Sequence, residues 1–208
     1  VFAGCLSVVS FLLICMVRFP FKAPDEHMRK VSLDRFFLPS AFPLFVGLAV
    51  FTSIVGLLFS LPHVEEFYGM LMFGFFIALL AEKYAFADAN LKSEIVAGLI
   101  ALGAAVLITF TGEATALHWI RPVLVGFAVG IVGSRYLLFF IKLARHCQRG
   151  TSQSTFFLSW ETGMSLGLFA GCTLAGRHVD MLALILVVLS LIAYNLLLHP
   201  WYIKHKNR

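Results

Sequence analysis

Two charged side chains lie well inside apolar stretches of the sequence, where charge is costly. Arg135 and Glu161 fall at matching depths on two consecutive predicted membrane spans. An unpaired charge at the centre of a bilayer costs at least about 2.5–3.5 kcal/mol. We therefore predict that the two side chains pair or face one polar cavity. Two interpretations stay open: a structural ion pair, or a pathway for a solute or a proton.

Small residues recur at helical spacing on the same two spans. One stripe, at every fourth residue, consists of Ser159, Gly163, Gly167 and Gly171. Such a stripe lets a second helix approach closely. At 100° per residue, Glu161 lies about 200° around its helix from this stripe, and Ser165 lies on the same face as Glu161. On the preceding span, Gly126 and Gly130 lie nearly opposite Arg135 by the same count. Each helix is predicted to pack on one face and to be polar on the other.

The composition places these helices in a membrane. Hydrophobic residues make up 60% of the chain and charged residues 13%, with a mean hydropathy of +0.92. Soluble domains average about 45–50% apolar and about 25% charged residues. The formal charge of +5 lies in short loops between apolar runs, where it sets orientation. We expect the lipid bilayer as the surrounding phase and no nucleic-acid partner.

Seven apolar runs are long enough to cross a bilayer core of about 30 Å. They lie near residues 1–19, 40–61, 66–82, 94–111, 122–143, 154–174 and 180–198. We predict an all-α polytopic bundle in three parts: a helix at 1–19, a cytoplasmic linker at 20–39, and a six-helix bundle with a short tail at 40–208. Because the chain opens on Val1 inside an apolar run, we expect a removed start or a segment of a longer protein.

The positions of the basic residues predict the orientation. Thirteen of the sixteen lysines and arginines fall in loops on one side of the predicted spans, and two fall on the other. Basic loops stay in the cytoplasm. The expected location is a bacterial inner membrane, with the first residue outside and the carboxyl terminus in the cytoplasm.

A short internal match suggests a repeat of three helices within the six. Residues Pro43, Val46, Gly47, Ala49 and Val50 match Pro122, Val125, Gly126, Ala128 and Val129. The two spans run in opposite directions, as in an inverted repeat. Five identities in eight mostly apolar residues also occur by chance, so the match leaves both interpretations open.

The familiar signatures of catalysis are absent from the sequence. It contains no His-Glu-x-x-His, Cys-x-x-Cys, Gly-x-Ser-x-Gly or glycine-rich phosphate loop with its lysine. We therefore expect no enzyme, no cofactor and no metal site. A seven-helix receptor or retinal protein is disfavoured, since the last span has no lysine for a Schiff base.

Several segments together resemble the major facilitator superfamily of transporters. They are Arg18–Pro24, Leu33–Pro39, Ala78–Lys83, Arg145–Thr151, Trp160–Gly163 and Leu166–Gly167. The resemblance implies the last helix of the amino-terminal half, the central loop, and the carboxyl-terminal half built as a 3+3 inverted repeat. It also implies a cytoplasmic gating loop at Glu82 and Lys83, although the glycine and the basic cluster of that family motif are missing.

The resemblance implies secondary active transport of a small solute, such as proton-coupled export of a drug or metabolite. Glu161 would take up a proton or neutralise a cationic group, and Arg135 would hold Glu161 or an anionic solute. Alternating access rocks one half against the other, so the missing amino-terminal half is the expected partner. The alternative from another class is a membrane scaffold or assembly subunit without transport.

Overall fold

The computed structural model describes residues 9, 12, 13, 16, 36–62, 65–86, 90–110, 115–144, 148–174 and 177–205. The chain divides into two compact units, Val1–Ser32 and Leu33–Arg208. In the first unit the four described residues are helical. The rest of the span predicted at 1–19, and most of the linker predicted at 20–39, lie outside the described residues.

The second unit is a bundle of six helices, which confirms the all-α prediction, and no strand occurs in its described part. A 3-10 turn, Pro39–Ala41, leads into the first helix. The helices are α1 Phe42–Phe59, α2 Phe67–Tyr84, α3 Leu91–Thr109, α4 Thr115–Leu143 and α5 Arg149–Thr173. The sixth, α6, runs through Arg177–Ala193, a π-helical turn Tyr194–Leu198, and His199–His205.

Five of the six helices are long and apolar enough to cross a membrane. These stretches are Pro39–Phe59, Phe67–Tyr84, Leu91–Thr109, Trp119–Leu143 and His178–His205. The exception is α5, which has 25 residues but begins with a polar stretch at residues 149–155 and carries Glu161 further along. The helices support the multi-pass membrane protein that the composition predicts.

Two parallel helix pairs hold the bundle together through glycine contacts. On the first pair, α1 and α5, a Cβ at Gly163 would overlap Ala49 and a Cβ at Gly167 would overlap the carbonyl oxygen of Ser53. Nearer the start of both helices, Ser159 Oγ donates a hydrogen bond of 2.6 Å to the Phe45 carbonyl. The contact positions rise together along both helices, so α1 and α5 run in the same direction.

The second parallel pair joins α2 and α4. A Cβ at Gly126 would overlap the Leu71 carbonyl, and one at Gly130 would come within 2.6 Å of the Ala78 side chain. Between membrane helices there is little hydrophobic driving force, so close backbone packing of this kind supplies the attraction. The predicted small residues on both spans therefore lie at helix–helix contacts.

The remaining two helices close the bundle. Helix α3 packs antiparallel on α4 and also contacts α6, and α6 packs on α1. All helix directions alternate, so α1, α3 and α5 begin where α2, α4 and α6 end. Exposed basic side chains gather there, and we call it the basic end: Lys83, Lys92, Lys142, Arg149 and Lys204. At the opposite end an Arg121 nitrogen donates to the Pro62 carbonyl at 3.3 Å.

Candidate functional site

A cluster of charged side chains lies near the basic end, between α2, α3 and α4. The Arg135 Nε donates a hydrogen bond to Glu94 Oε2. The same nitrogen lies 3.9 Å from Glu82 Oε1, and Ser134 Oγ donates to that carboxylate oxygen. We call Glu82, Glu94, Ser134 and Arg135 the charge cluster.

Helix ends and close packing position the charge cluster. Glu94 lies in the first turn of α3, where the positive end of the helix dipole favours an acidic side chain. Glu82 lies in the last turns of α2, and Arg135 is well inside α4. A Cβ at Gly98 would come within 2.5 Å of Val132, so α3 and α4 approach closely enough for the guanidinium to reach Glu94.

The charge balance of the cluster is uneven. Two carboxylates share one guanidinium, and the Glu94 side chain is only 2% exposed, against 19% for Arg135 and 21% for Glu82. Ion pairing satisfies a buried charge only when partners of opposite sign balance it. The cluster can therefore accept one proton without leaving Arg135 unpaired, and its residues could hold or release that proton at a carboxylate oxygen.

The predicted pairing of Arg135 with Glu161 is wrong. Arg135 pairs with Glu94 and Glu82 instead, and in the described residues Glu161 forms no ion pair. The matching depths were a poor guide because Arg135 turns toward α2 and α3, away from α5. Where α4 meets α5, the Trp160 ring lies about 3.3 Å from the space beside Gly133, and Glu161 is rotated away from that contact.

Glu161 lies on a face of α5 that no described helix covers. Its neighbours at helical spacing, Ser165 and Cys172, are exposed as well, whereas Gly163 and Gly167 on the opposite side are buried. We call Glu161, Ser165 and Cys172 the outer face of α5. Inside a membrane, a carboxylate in this position needs water, a lipid head group or another protein segment as its partner.

Glu82 and Lys83, assigned to a gating loop by the family resemblance, lie in the last turn of α2 rather than in a loop. Glu82 turns inward to the charge cluster. Lys83 is exposed, with its ammonium 5.4 Å from the centre of the Tyr84 ring. The two adjacent side chains therefore have different surroundings.

Glu94 is the site residue that the sequence analysis missed. The span predicted from hydropathy begins at residue 94. The Glu94 carboxylate therefore falls at the end of that span and not inside it, where a charge would draw notice. A usable signal exists, since an acidic residue in the first turn of an apolar helix is favourably placed for a basic side chain on the next helix. Balancing Arg135 against every carboxylate near the same end would have found Glu94 and Glu82.

The described part of the chain contains no group of three His, Cys, Asp or Glu side chains that could hold a metal ion. No protein-family model, curated protein or solved structure matches this chain. Any functional assignment therefore depends on the geometry of the bundle and the residues themselves.

Proposed function

We propose that the six helices form one half of a secondary transporter of the major facilitator type, which moves a small solute across a bacterial inner membrane. One observation carries the proposal, namely the pattern of helix contacts. The tightest pairs are α1 with α5 and α2 with α4, followed by α3 with α4, α1 with α6, and α3 with α6.

These five pairs map onto one another when the first three helices are exchanged with the last three, whereas the weaker contact of α4 with α5 has no counterpart of similar size between α1 and α2. The exchange turns the α1–α5 pair into α4–α2, turns α3–α4 into α6–α1, and leaves α3–α6 as it is. Because α1 and α4 run in opposite directions, the exchange supports two inverted three-helix repeats, which are typical of transporter halves.

The sequence match between α1 and α4 adds less support than the contacts do. Its two glycines have different neighbours: Gly126 contacts the backbone of α2, whereas Gly47 faces Leu198 and Tyr136. The repeat that we propose is therefore one of helix packing and not of aligned residues.

The outer face of α5 is the surface that we assign to the solute pathway. An exposed carboxylate beside Ser165, far from the ends of a membrane helix, is unfavourable against lipid and favourable against water. Glu161 takes up a proton or neutralises a cationic group of the solute there. The amino-terminal half of the transporter covers this face from the other side, and the basic end lies in the cytoplasm.

Thiol labelling tests whether the outer face of α5 meets water. With the four native cysteines changed to serine, Ser165→Cys is compared with Val188→Cys, an exposed position at a similar depth on α6. We expect a membrane-impermeant maleimide to label Ser165→Cys at least tenfold faster, because the reaction needs a hydrated thiolate. Equal, slow labelling of both would count against a pathway on this face.

Flux then separates a transporter from a scaffold. In the complete gene product that carries this chain, Glu161→Gln is expected to abolish proton-coupled flux while the protein still folds. Full activity in that variant would remove Glu161 from the mechanism, and a hydrated face without any flux would favour an assembly subunit.

A further inference from the structure

An apolar cleft opens between α1 and α6 near the basic end. It has a volume of about 680 Å³, within the range of about 300–1,000 Å³ that is usual for ligand sites. The first turns of α1 and the second half of α6 supply its walls, with Tyr136 of α4 between them. The π-helical turn Tyr194–Leu198 contributes three lining residues, and such turns occur frequently at functional sites.

The cleft faces the membrane hydrocarbon. Its lining residues Phe42, Leu189 and Leu197 are 55%, 53% and 70% exposed, and both α1 and α6 are among the five helices apolar enough to span a bilayer. The side chains that line an empty cleft lack dispersion contacts on its open side, and an acyl chain that enters the cleft supplies them. A lipid tail is therefore the occupant that the position of the cleft favours.

One face of α6 connects the cleft to a positive charge at the basic end. Leu197, Trp201 and Lys204 follow one another at intervals of four and three residues, so they lie on the same side of the helix. Leu197 and Trp201 line the cleft, and Lys204 is exposed beyond them. Tryptophan is typical of the membrane interface, and a lysine there attracts anionic lipids.

We propose that this cleft binds one anionic phospholipid of the leaflet at the basic end. One acyl chain fills the space between α1 and α6, the glycerol region lies beside Trp201, and the phosphate contacts the Lys204 ammonium. The site depends on the membrane setting of α1 and α6 and not on transport, so it stands or falls independently of the proposed function.

Lipid retention in mild detergent tests the site on the full chain. The protein is incubated with equal amounts of dioleoyl phosphatidylglycerol and dioleoyl phosphatidylcholine, and bound lipids are counted by native mass spectrometry. We expect about fivefold preference for phosphatidylglycerol, since one lysine near the surface contributes about 1 kcal/mol toward an anionic lipid. Lys204→Gln should reduce the preference to near parity, whereas Lys142→Gln, an equal change of charge at the same end, should not.

A second pair of variants tests the cleft itself. Val46→Trp places a large ring in the cleft, and Ile100→Trp places the same ring on an exposed part of α3 outside it. Val46→Trp should lower retention of both lipids, and Ile100→Trp should not. If Val46→Trp fails to fold, Leu189→Trp fills the cleft from its α6 wall instead. Equal retention of the two lipids by the unsubstituted chain, a preference unaffected by Lys204→Gln, or retention unaffected by either cleft variant would each overturn the proposal.

Discussion

The charge cluster and the outer face of α5 differ in how their charged side chains are satisfied. In the cluster, Arg135 has two carboxylate partners on neighbouring helices. On the outer face, Glu161 is exposed and has no ion-pair partner in the described part of the chain. Removing one partner of an internally paired charge destabilises a bundle, whereas an outward-facing charge inside a membrane must be satisfied by water, a lipid head group or another segment. Under the proposed function, the first region has a structural role and the second belongs to the solute pathway.

The largest effect on the free energy of unfolding is expected at the contact between α5 and α1. This contact lies on the side of α5 opposite its outer face. Gly167→Leu should cost at least about 4 kcal/mol, at the upper end of single substitutions. The reason is that the new side chain would overlap the Ser53 carbonyl, and backbone cannot move aside as a side chain can. Unfolding by SDS titration in mild detergent measures the loss.

The matched control for that substitution is Gly69→Leu on α2. Gly69 has nothing within 4 Å of the added Cβ position, so its replacement should change the free energy of unfolding by less than about 0.5 kcal/mol. Similar losses in both variants would mean that the α1–α5 contact is no tighter than an ordinary exposed helix surface.

The next largest effect separates the two regions directly. Arg135→Met should destabilise the protein by about 3 kcal/mol, because it leaves Glu94 and Glu82 without the guanidinium that balances them. Glu161→Gln should change the free energy of unfolding by less than about 0.5 kcal/mol, since its side chain is exposed. The same titration measures both, and a larger loss for Glu161→Gln would reverse the roles assigned above.

A double substitution distinguishes loss of a pair from loss of packing. Adding Glu94→Leu to Arg135→Met should recover about 2 kcal/mol of that loss, because an apolar side chain then replaces the more deeply buried of the two carboxylates. If the double variant is as unstable as Arg135→Met alone, the cluster holds the helices by something other than the balance of charge.

The positions of the helices could be predicted from the sequence, but the direction of their faces could not. The spans predicted at 40–61 and 66–82 lie close to the observed Pro39–Phe59 and Phe67–Tyr84. Hydropathy detects a helix because lipid imposes length and apolarity on it. Periodicity relates the residues of one helix to each other, and it placed Glu161 opposite the glycines of α5 correctly. It carries no information on which neighbouring helix a face meets, so it could not reveal that Arg135 turns toward α3.

The smallest effect tests whether the charge cluster extends to Tyr194. This residue is 2% exposed, lies within electrostatic range of Glu94, and its hydroxyl has no hydrogen-bond partner in the described residues. A buried unsatisfied hydroxyl costs about 1–3 kcal/mol, so Tyr194→Phe should stabilise the protein by about 1 kcal/mol. The exposed Tyr84→Phe on α2 serves as the control without an effect.

A loss of stability in Tyr194→Phe would change the comparison itself. The hydroxyl would then belong to the charge cluster through a bound water that joins it to Glu94, and the polar region would reach from α2 across α3 to the π-helical turn of α6. The first region would no longer be a closed set of ion pairs but a hydrated network that contacts the wall of the lipid cleft. A gain in stability keeps the cluster closed and leaves the outer face of α5 as the region whose charge must be satisfied from outside the six helices.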